Sequence, residues 1–461
     1  MIKKLTKINN HLYLYLIMII YVLTFFFIKQ PFWGLMDDAS SIKLAIQFSE
    51  NPLTTTNEWL KHHNKNGMFR PLFALQQYIQ YIFYDFDNPF PTFAFNIFIV
   101  LFGIYLFSKI YIEKKDIYLF YSIFLLWPYT YDWLFMPTLN SKWGLILFCS
   151  GLLLKKSKIN NFIIFLLGLF SILTKLNVVI LLPLAFYFER MKKRKLYLST
   201  GMTLGFIIQV GFFFYFPNSY YNTGLIETIK SIQFFTVQNI FALGLLFVIL
   251  LDLIFYKNNK DQKLFIFSVL NSIFLGLVIL NLRNSSFAYL GALLIFPVSI
   301  YIIFLFNKLM FFSKFNLSSI LKALLIVCIV TSNIFFFNPR LERWNDIGHL
   351  ISSDLDYQAV YFCNEGQKMI NIWDTENSNQ EYSYFSTFLS EYENMNIWLD
   401  TYSDNFRFIK IDETLINNQN ALYIIDPYCP ESLDYFQNNL KNCNYKYVYS
   451  NEIKIVQKIN C

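Results

Sequence analysis

Two adjacent carboxylates, Asp37 and Asp38, follow the first long apolar run of the chain. Neighbouring carboxylates raise each other's pKa and partial burial adds to the effect, so one of the pair suits a general base for an acceptor hydroxyl near neutral pH. A third acid, Asp132, sits in the segment WPYTYDWLFMPTLNS, and three cations stand at the edges of apolar runs: Arg70, Lys175 and Arg283. Ionisable groups in such places are costly and have a partner or a task. Taken singly, each cation is also explained by a side chain that reaches the lipid headgroups. Taken together with the acids, they suit a substrate with a nucleophilic hydroxyl at one end and a phosphate at the other, because Arg and Lys bind phosphate oxygens and stabilise charge on a phosphate leaving group. Asp37, Asp38 and Asp132 also have the chemistry to share a divalent Mg or Mn ion, so metal dependence stays open. The histidines, His11, His62, His63 and His349, lack the spacing of a preformed metal site. There is no phosphate-binding glycine loop, dinucleotide fingerprint or Ser/His/Asp motif.

The elements that must hold these residues are set by composition. Of 461 residues, 55% are hydrophobic and only 15% charged, against about a quarter charged in a soluble domain. Windows of the length that crosses a bilayer recur throughout the first 337 positions. They lie near 12–29, 92–110, 117–129, 138–154, 161–174, 176–189, 196–216, 236–256, 264–281, 286–306 and 320–337. The expectation is an α-helical polytopic membrane protein of about 11 transmembrane helices with a small C-terminal α/β extracytoplasmic domain. Basic clusters at Lys3/Lys4/Lys7, Lys114/Lys115, Lys155/Lys156/Lys158, Arg190 to Lys195, Lys257/Lys260/Lys263 and Lys308/Lys314 all fall on one side if the N-terminus is cytoplasmic, as the positive-inside rule requires. Keeping Lys192 to Lys195 on that side makes 161–189 a hairpin turning at Thr174-Lys175-Leu176-Asn177. The first run has no small-residue cleavage site after it and reads as a retained helix.

Two outer parts result. The loop 30–91 is much longer than a connection needs, as functional loops are; in it Ser40 to Phe48 and the run from Arg70-Pro71 read as surface helices, apolar face toward the membrane. Residues 338–461 carry 18 Asp and Glu against 9 Lys and Arg, while 1–337 carry 13 against 29. Clustered cations between apolar runs are topology signals, so the basic balance does not imply nucleic acid. In the tail, AVYFCN, FRFIKI, ALYIID, YKYVYS and IKIVQKI have strand character, and Pro430 to Asn442 fits a helix. Cys363, Cys429, Cys443 and Cys461 there permit two disulfides in three connectivities, or free thiols. Trp33, Trp59, Trp127, Trp133 and Trp143 lie near outer boundaries, the place of interfacial anchors.

The order of features resembles the GT-C superfamily of polytopic glycosyltransferases, which includes protein O-mannosyltransferases and aminoarabinose transferases. The matching segments are GLMDDASS, RPLFALQQYIQYIFYDFDNPFPTFAFNIFI, the hairpin FSILTKLNVVILLPLAF, RNSSFAYLGALLIFP and the terminal outer part. They cover most of the membrane region, though each is short. Asp38 stands where the family more often has Glu. The resemblance implies transfer of a sugar, with inversion, from a polyprenyl-phosphate carrier to an acceptor hydroxyl on the outer face of the cell membrane. It makes Asp37 the base with Asp38 close behind, Asp132 a second acid, and Lys175, Arg283 and Arg70 the holders of the carrier phosphate. The expected partners are the lipid-linked sugar, a glycan, lipid or protein acceptor, and membrane lipid. Two alternatives remain beside it. One is an O-antigen-type polysaccharide polymerase, which favours a late, Arg-rich outer loop; the other is a transporter or flippase, which favours internal repeats and broken helices.

Overall fold

The structure, a computed structural model, describes residues 10–29, 38–65, 68–84, 88, 90–127, 130–135, 140–154, 161–215, 237–255, 259–282 and 292–310, and five strands beyond them. These residues are mostly helical. In chain order the helices are α1 (Asn10–Lys29), α2 (Asp38–Glu50), α3 (Pro52–Lys65), α4 (Phe73–Gln80), α5 (Phe90–Tyr111), α6 (Ile117–Leu126), α7 (Thr130–Phe135), α8 (Ser141–Leu153), α9 (Asn161–Thr174), a 3-10 turn at Leu176–Leu181, α10 (Leu182–Met191), α11 (Tyr197–Tyr215), α12 (Val237–Phe255), α13 (Lys260–Leu282) and α14 (Ile295–Met310). Two are long and apolar enough to cross a membrane by length and composition: α5, and α13 over Lys260–Val278. Shorter apolar helices stand in the windows 12–29, 117–129, 138–154, 161–174, 196–216, 236–256 and 286–306; the window 176–189 holds the 3-10 turn and α10 instead of an apolar helix, and the window 320–337 lies outside the described residues.

Local chemistry fixes several helix ends. Asn259 and Gln262 cap one another reciprocally, Asn259 N donating to Gln262 Oε1 at 3.1 Å and Gln262 N to Asn259 Oδ1 at 2.8 Å. This capping box starts α13 four residues before the apolar window. Helix α6 stops after ten residues because Trp127 precedes Pro128 and is extended, φ −69° and ψ 123°, as the residue before a proline prefers. Helix α10 closes with Arg194 N on Glu189 O (2.7 Å) and Lys193 N on Arg190 O (3.0 Å), Lys193 taking a left-handed φ of 50°. That bond pair is the Schellman ending.

Side-chain contacts give several helices a direction. Helices α1 and α5 run antiparallel, since Tyr15 meets Tyr105 (ring centroids 4.7 Å apart) while Phe26 meets Phe90 (5.3 Å). Gly144 of α8 faces Ser171 and Thr174 of α9 while Gly151 faces Leu167, so these two are antiparallel as well. Helices α9 and α11 are parallel: Gly201 lies on Phe165 and Gly205 on Ile172. Small residues here let two backbones touch. Two parallel neighbours require the intervening chain to return along their length, and residues 176–191 do so. The reversal at Lys175 expected from the charge pattern is therefore present, built from a 3-10 turn continued by α10.

The bundle consequently has two ends. At one, Asp252 of α12 pairs with Lys308 of α14 (2.5 Å), Asn307 donates to Asp116 (2.9 Å), and Tyr111 Oη donates to Leu184 O (2.9 Å). Lys109, Lys114, Lys115, Arg190 and Lys192 to Lys195 belong to this basic end. At the other end lie the starts of α5 and α8, the close of α9 and the loop helices α2 to α4. Among the strands, β1 (Ala359–Phe362), β2 (Arg407–Lys410), β3 (Ala421–Ile425), β4 (Asn444–Ser450) and β5 (Lys454–Asn460) form a sheet in the order β2-β1-β3-β5-β4. Strand β1 runs parallel to β2 and β3, and β3 and β4 run antiparallel to β5. The helix expected at Pro430 to Asn442 and the cysteines Cys363, Cys429, Cys443 and Cys461 lie outside the described residues.

Candidate functional site

The six residues singled out by sequence are placed unequally. Asp37 and Arg283 lie outside the described residues. Asp38 is the first residue of α2, where the positive end of the helix dipole favours a carboxylate. Asp132 is the third residue of α7. For both aspartates the backbone alone is described. Lys175 is buried, 9% exposed, and extended (φ −162°, ψ 132°) at the break between α9 and the 3-10 turn, its carbonyl accepting from Val178 N at 3.1 Å. Arg70 is half-buried, its guanidinium 5.9 Å from the Phe73 ring centroid. Among the described residues no three His, Cys, Asp or Glu side chains stand close enough to share a metal ion.

Arg70 is held by a clamp far away in sequence. Gln209 of α11 donates to Phe69 O (2.6 Å) and accepts from Phe69 N (3.3 Å), and Phe69 stacks on Phe212 at 4.7 Å. Gly205 of α11 faces Ile172 of α9. In parallel helices that rise equally per residue, Lys175 then stands level with Gln209. Lys175 and the loop that carries Arg70, far apart in sequence, thus stand at the same end of the bundle. Beside Arg70, His63 is buried against Trp59 and Phe73, with ring centroids 5.7 and 4.5 Å away. Burial first, then the charges of Arg70 and His62, hold its pKa down to about 2, so His63 is neutral.

A second group of residues was not singled out by sequence. Lys142, in the first turn of α8 and fully buried, donates to Asn96 Oδ1 of α5. Asn96 Nδ2 in turn donates to Leu134 O at 2.5 Å and to Trp133 O at 3.4 Å, carbonyls in the last turn of the helix that carries Asp132. An ammonium, an amide and two carbonyls therefore tie α8, α5 and α7 together. Gln77 of α4 donates to Asn140 Oδ1 at 3.4 Å, just before α8. Helix α4 turns Gln76, Gln77 and Gln80 inward and leaves Leu75, Ile82 of the following turn and Phe83 exposed. The signal for this group was polar residues inside apolar runs, Asn96 in FAFNIFIV and Lys142 in SKWGLIL. Trp133 corrects one expectation. It is fully buried, with its ring 6.0 Å from Phe296, and does not anchor at a lipid interface.

No protein-family model matches the chain, no curated protein is similar to it, and no solved structure matches its fold.

Proposed function

We propose that the chain is a multi-pass glycosyltransferase of the cell membrane that moves a sugar, with inversion, from a polyprenyl-phosphate carrier to an acceptor hydroxyl on the outer face. In this reading about 11 helices span the membrane, the N-terminus is cytoplasmic, and residues 338–461 form an extracytoplasmic α/β domain. The observation that carries it is the polarity of the bundle: clustered Lys and Arg at one end, and at the other two buried lysines, Lys142 and Lys175, with the Arg70 loop and the helices bearing Asp38 and Asp132. Buried cations suit a phosphate that enters from lipid, and the basic end suits the cytoplasm.

The chemistry needs no bound nucleotide. An acceptor oxygen attacks the anomeric carbon as its proton passes to Asp37 or Asp38; the bond from that carbon to the phosphate oxygen breaks, and polyprenyl phosphate leaves with the electron pair. Lys175, Arg70 and Arg283 stabilise the charge that grows on the departing phosphate. A divalent ion held by Asp37, Asp38 and Asp132 is compatible with the same step. The test is to give membranes containing the chain a panel of radiolabelled polyprenyl-phosphate sugars with their own envelope acceptors. Label is expected to move into a glycan, lipid or protein with release of polyprenyl phosphate; no transfer from any donor contradicts the proposal.

A further inference from the structure

Helix α4 is turned inside out relative to a soluble amphipathic helix. Gln76, Gln77 and Gln80 occupy its inward face at 5%, 0% and 0% exposure, while Leu75 and the following Ile82 and Phe83 are 40 to 53% exposed. The amide oxygens of all three glutamines and the amide nitrogen of Gln80 are buried with no hydrogen-bond partner among the described residues. Folded interiors pair nearly all such atoms, so several left over on one face mark a place that something else fills. Their chemistry narrows what that is. Three of the four orphaned atoms are acceptors, and an acceptor repels a phosphate oxygen and attracts an O–H. Gln80 offers both kinds of partner, as vicinal hydroxyl groups require. The face adjoins the lysine site, because Gln77 reaches Asn140 and Lys142 follows two residues later on its bond to Asn96.

We infer that the glutamine face of α4 binds the hydroxyl groups of the sugar on the lipid-linked donor, while the cations at the same end hold its phosphate. This rests on the function proposed above. It separates the donor into two subsites, one read by amides and one by charge.

The two subsites can be told apart with the full-length protein in nanodiscs, by measuring affinity for bare polyprenyl phosphate and for polyprenyl-phosphate glucose, mannose, galactose and N-acetylglucosamine. The wild type is expected to bind at least one sugar-bearing lipid about tenfold more tightly than the bare lipid. Gln76→Leu and Gln80→Leu are expected to remove that tenfold difference and leave the affinity for bare lipid unchanged. Gln80→Met, which keeps the length of the side chain, serves in place of a leucine variant that does not fold. Variants that bind every lipid as the wild type does, variants that lose both kinds of lipid equally, or a wild type that binds no sugar-bearing lipid more tightly than the bare one, each overturn the inference. A wild type that binds neither kind more tightly than a phosphatidylglycerol control overturns the proposed function itself.

Discussion

The contact between α9 and α11 allows a perturbation whose size follows from the coordinates. A Cβ added at Gly201 comes within 2.9 Å of Leu169 N and 3.0 Å of Phe165 C, and closer still to the Phe165 carbonyl oxygen. All three are backbone atoms and cannot rotate away. Ordinary contact starts at 3.4 Å, so in Gly201→Ala the helices must separate by at least the 0.5 Å between 2.9 and 3.4 Å. Overpacking of this kind costs about 1–3 kcal/mol. Gly211 is the internal control, because a Cβ there meets nothing within 4 Å. Gly211→Ala carries the same gain in helix propensity, about 1 kcal/mol, without the clash. The difference in stability between the two variants, from heat or denaturant unfolding of detergent-purified protein, is expected to be about 1–3 kcal/mol. Function is expected to follow, since α9 ends at Lys175 and α11 holds the Arg70 loop through Gln209; a misplacement of about 1 Å can cost on the order of 10²-fold in rate. Equal stabilities for Gly201→Ala and Gly211→Ala would refute the close backbone contact between α9 and α11 at Gly201.

Other consequences follow from single contacts. Glu189, 1% exposed, accepts from Leu198 N (3.1 Å), Ser199 N (3.1 Å) and Ser199 Oγ (2.7 Å), capping α11 from the preceding helix; Ser199 Oγ also reaches Leu196 O, so Glu189→Ala orphans the two N–H donors and is expected to cost about 2–6 kcal/mol by thermal unfolding, at about 1–3 kcal/mol each. Lys142→Met and Asn96→Leu should each destabilise, but the double variant by about 1–3 kcal/mol less than their sum, because each single change strands the other's polar group; strict additivity counts against the Lys142–Asn96 link. Because the His63 pKa is depressed from 6.5 to about 2, the unfolded loop binds a proton that the folded loop refuses. The stability of the α3–α4 segment is then full above pH 6.5 and falls as pH drops below it, by about 1.4 kcal/mol per pH unit or about 2 kcal/mol at pH 5. Hydrogen exchange across 52–80 at pH 7 and pH 5 should show this loosening in the wild type and not in His63→Phe.

Much of the helical part was legible because an apolar run and a basic cluster are one-dimensional signals. Helix α5 sits within two residues of its window, and the reversal at Lys175 follows from the need to keep Lys192 to Lys195 with the other cations. Helix ends set by polar pairing were less legible: α13 begins at its capping box and not at its first apolar residue. The inward glutamines of α4 escaped notice because a polar face is ordinarily taken for the solvent side, whereas here it is the buried one. Lys142 is one charge inside the apolar run 138–154, and only its bond to Asn96, 46 positions away, reveals a tie across three helices. Long-range pairings such as Gln209 with Phe69 leave no local pattern at all.

The most direct measurement is envelope-glycan mass spectrometry on cells expressing, at equal protein levels, the wild type, Asp37→Asn, Asp38→Asn and the double variant. Loss of a general base removes typically 10²–10⁴-fold of the rate, so the double variant and at least one single variant are expected to lose the transferred sugar. A glycan profile unchanged in the double variant contradicts a transfer reaction that depends on the Asp37-Asp38 pair.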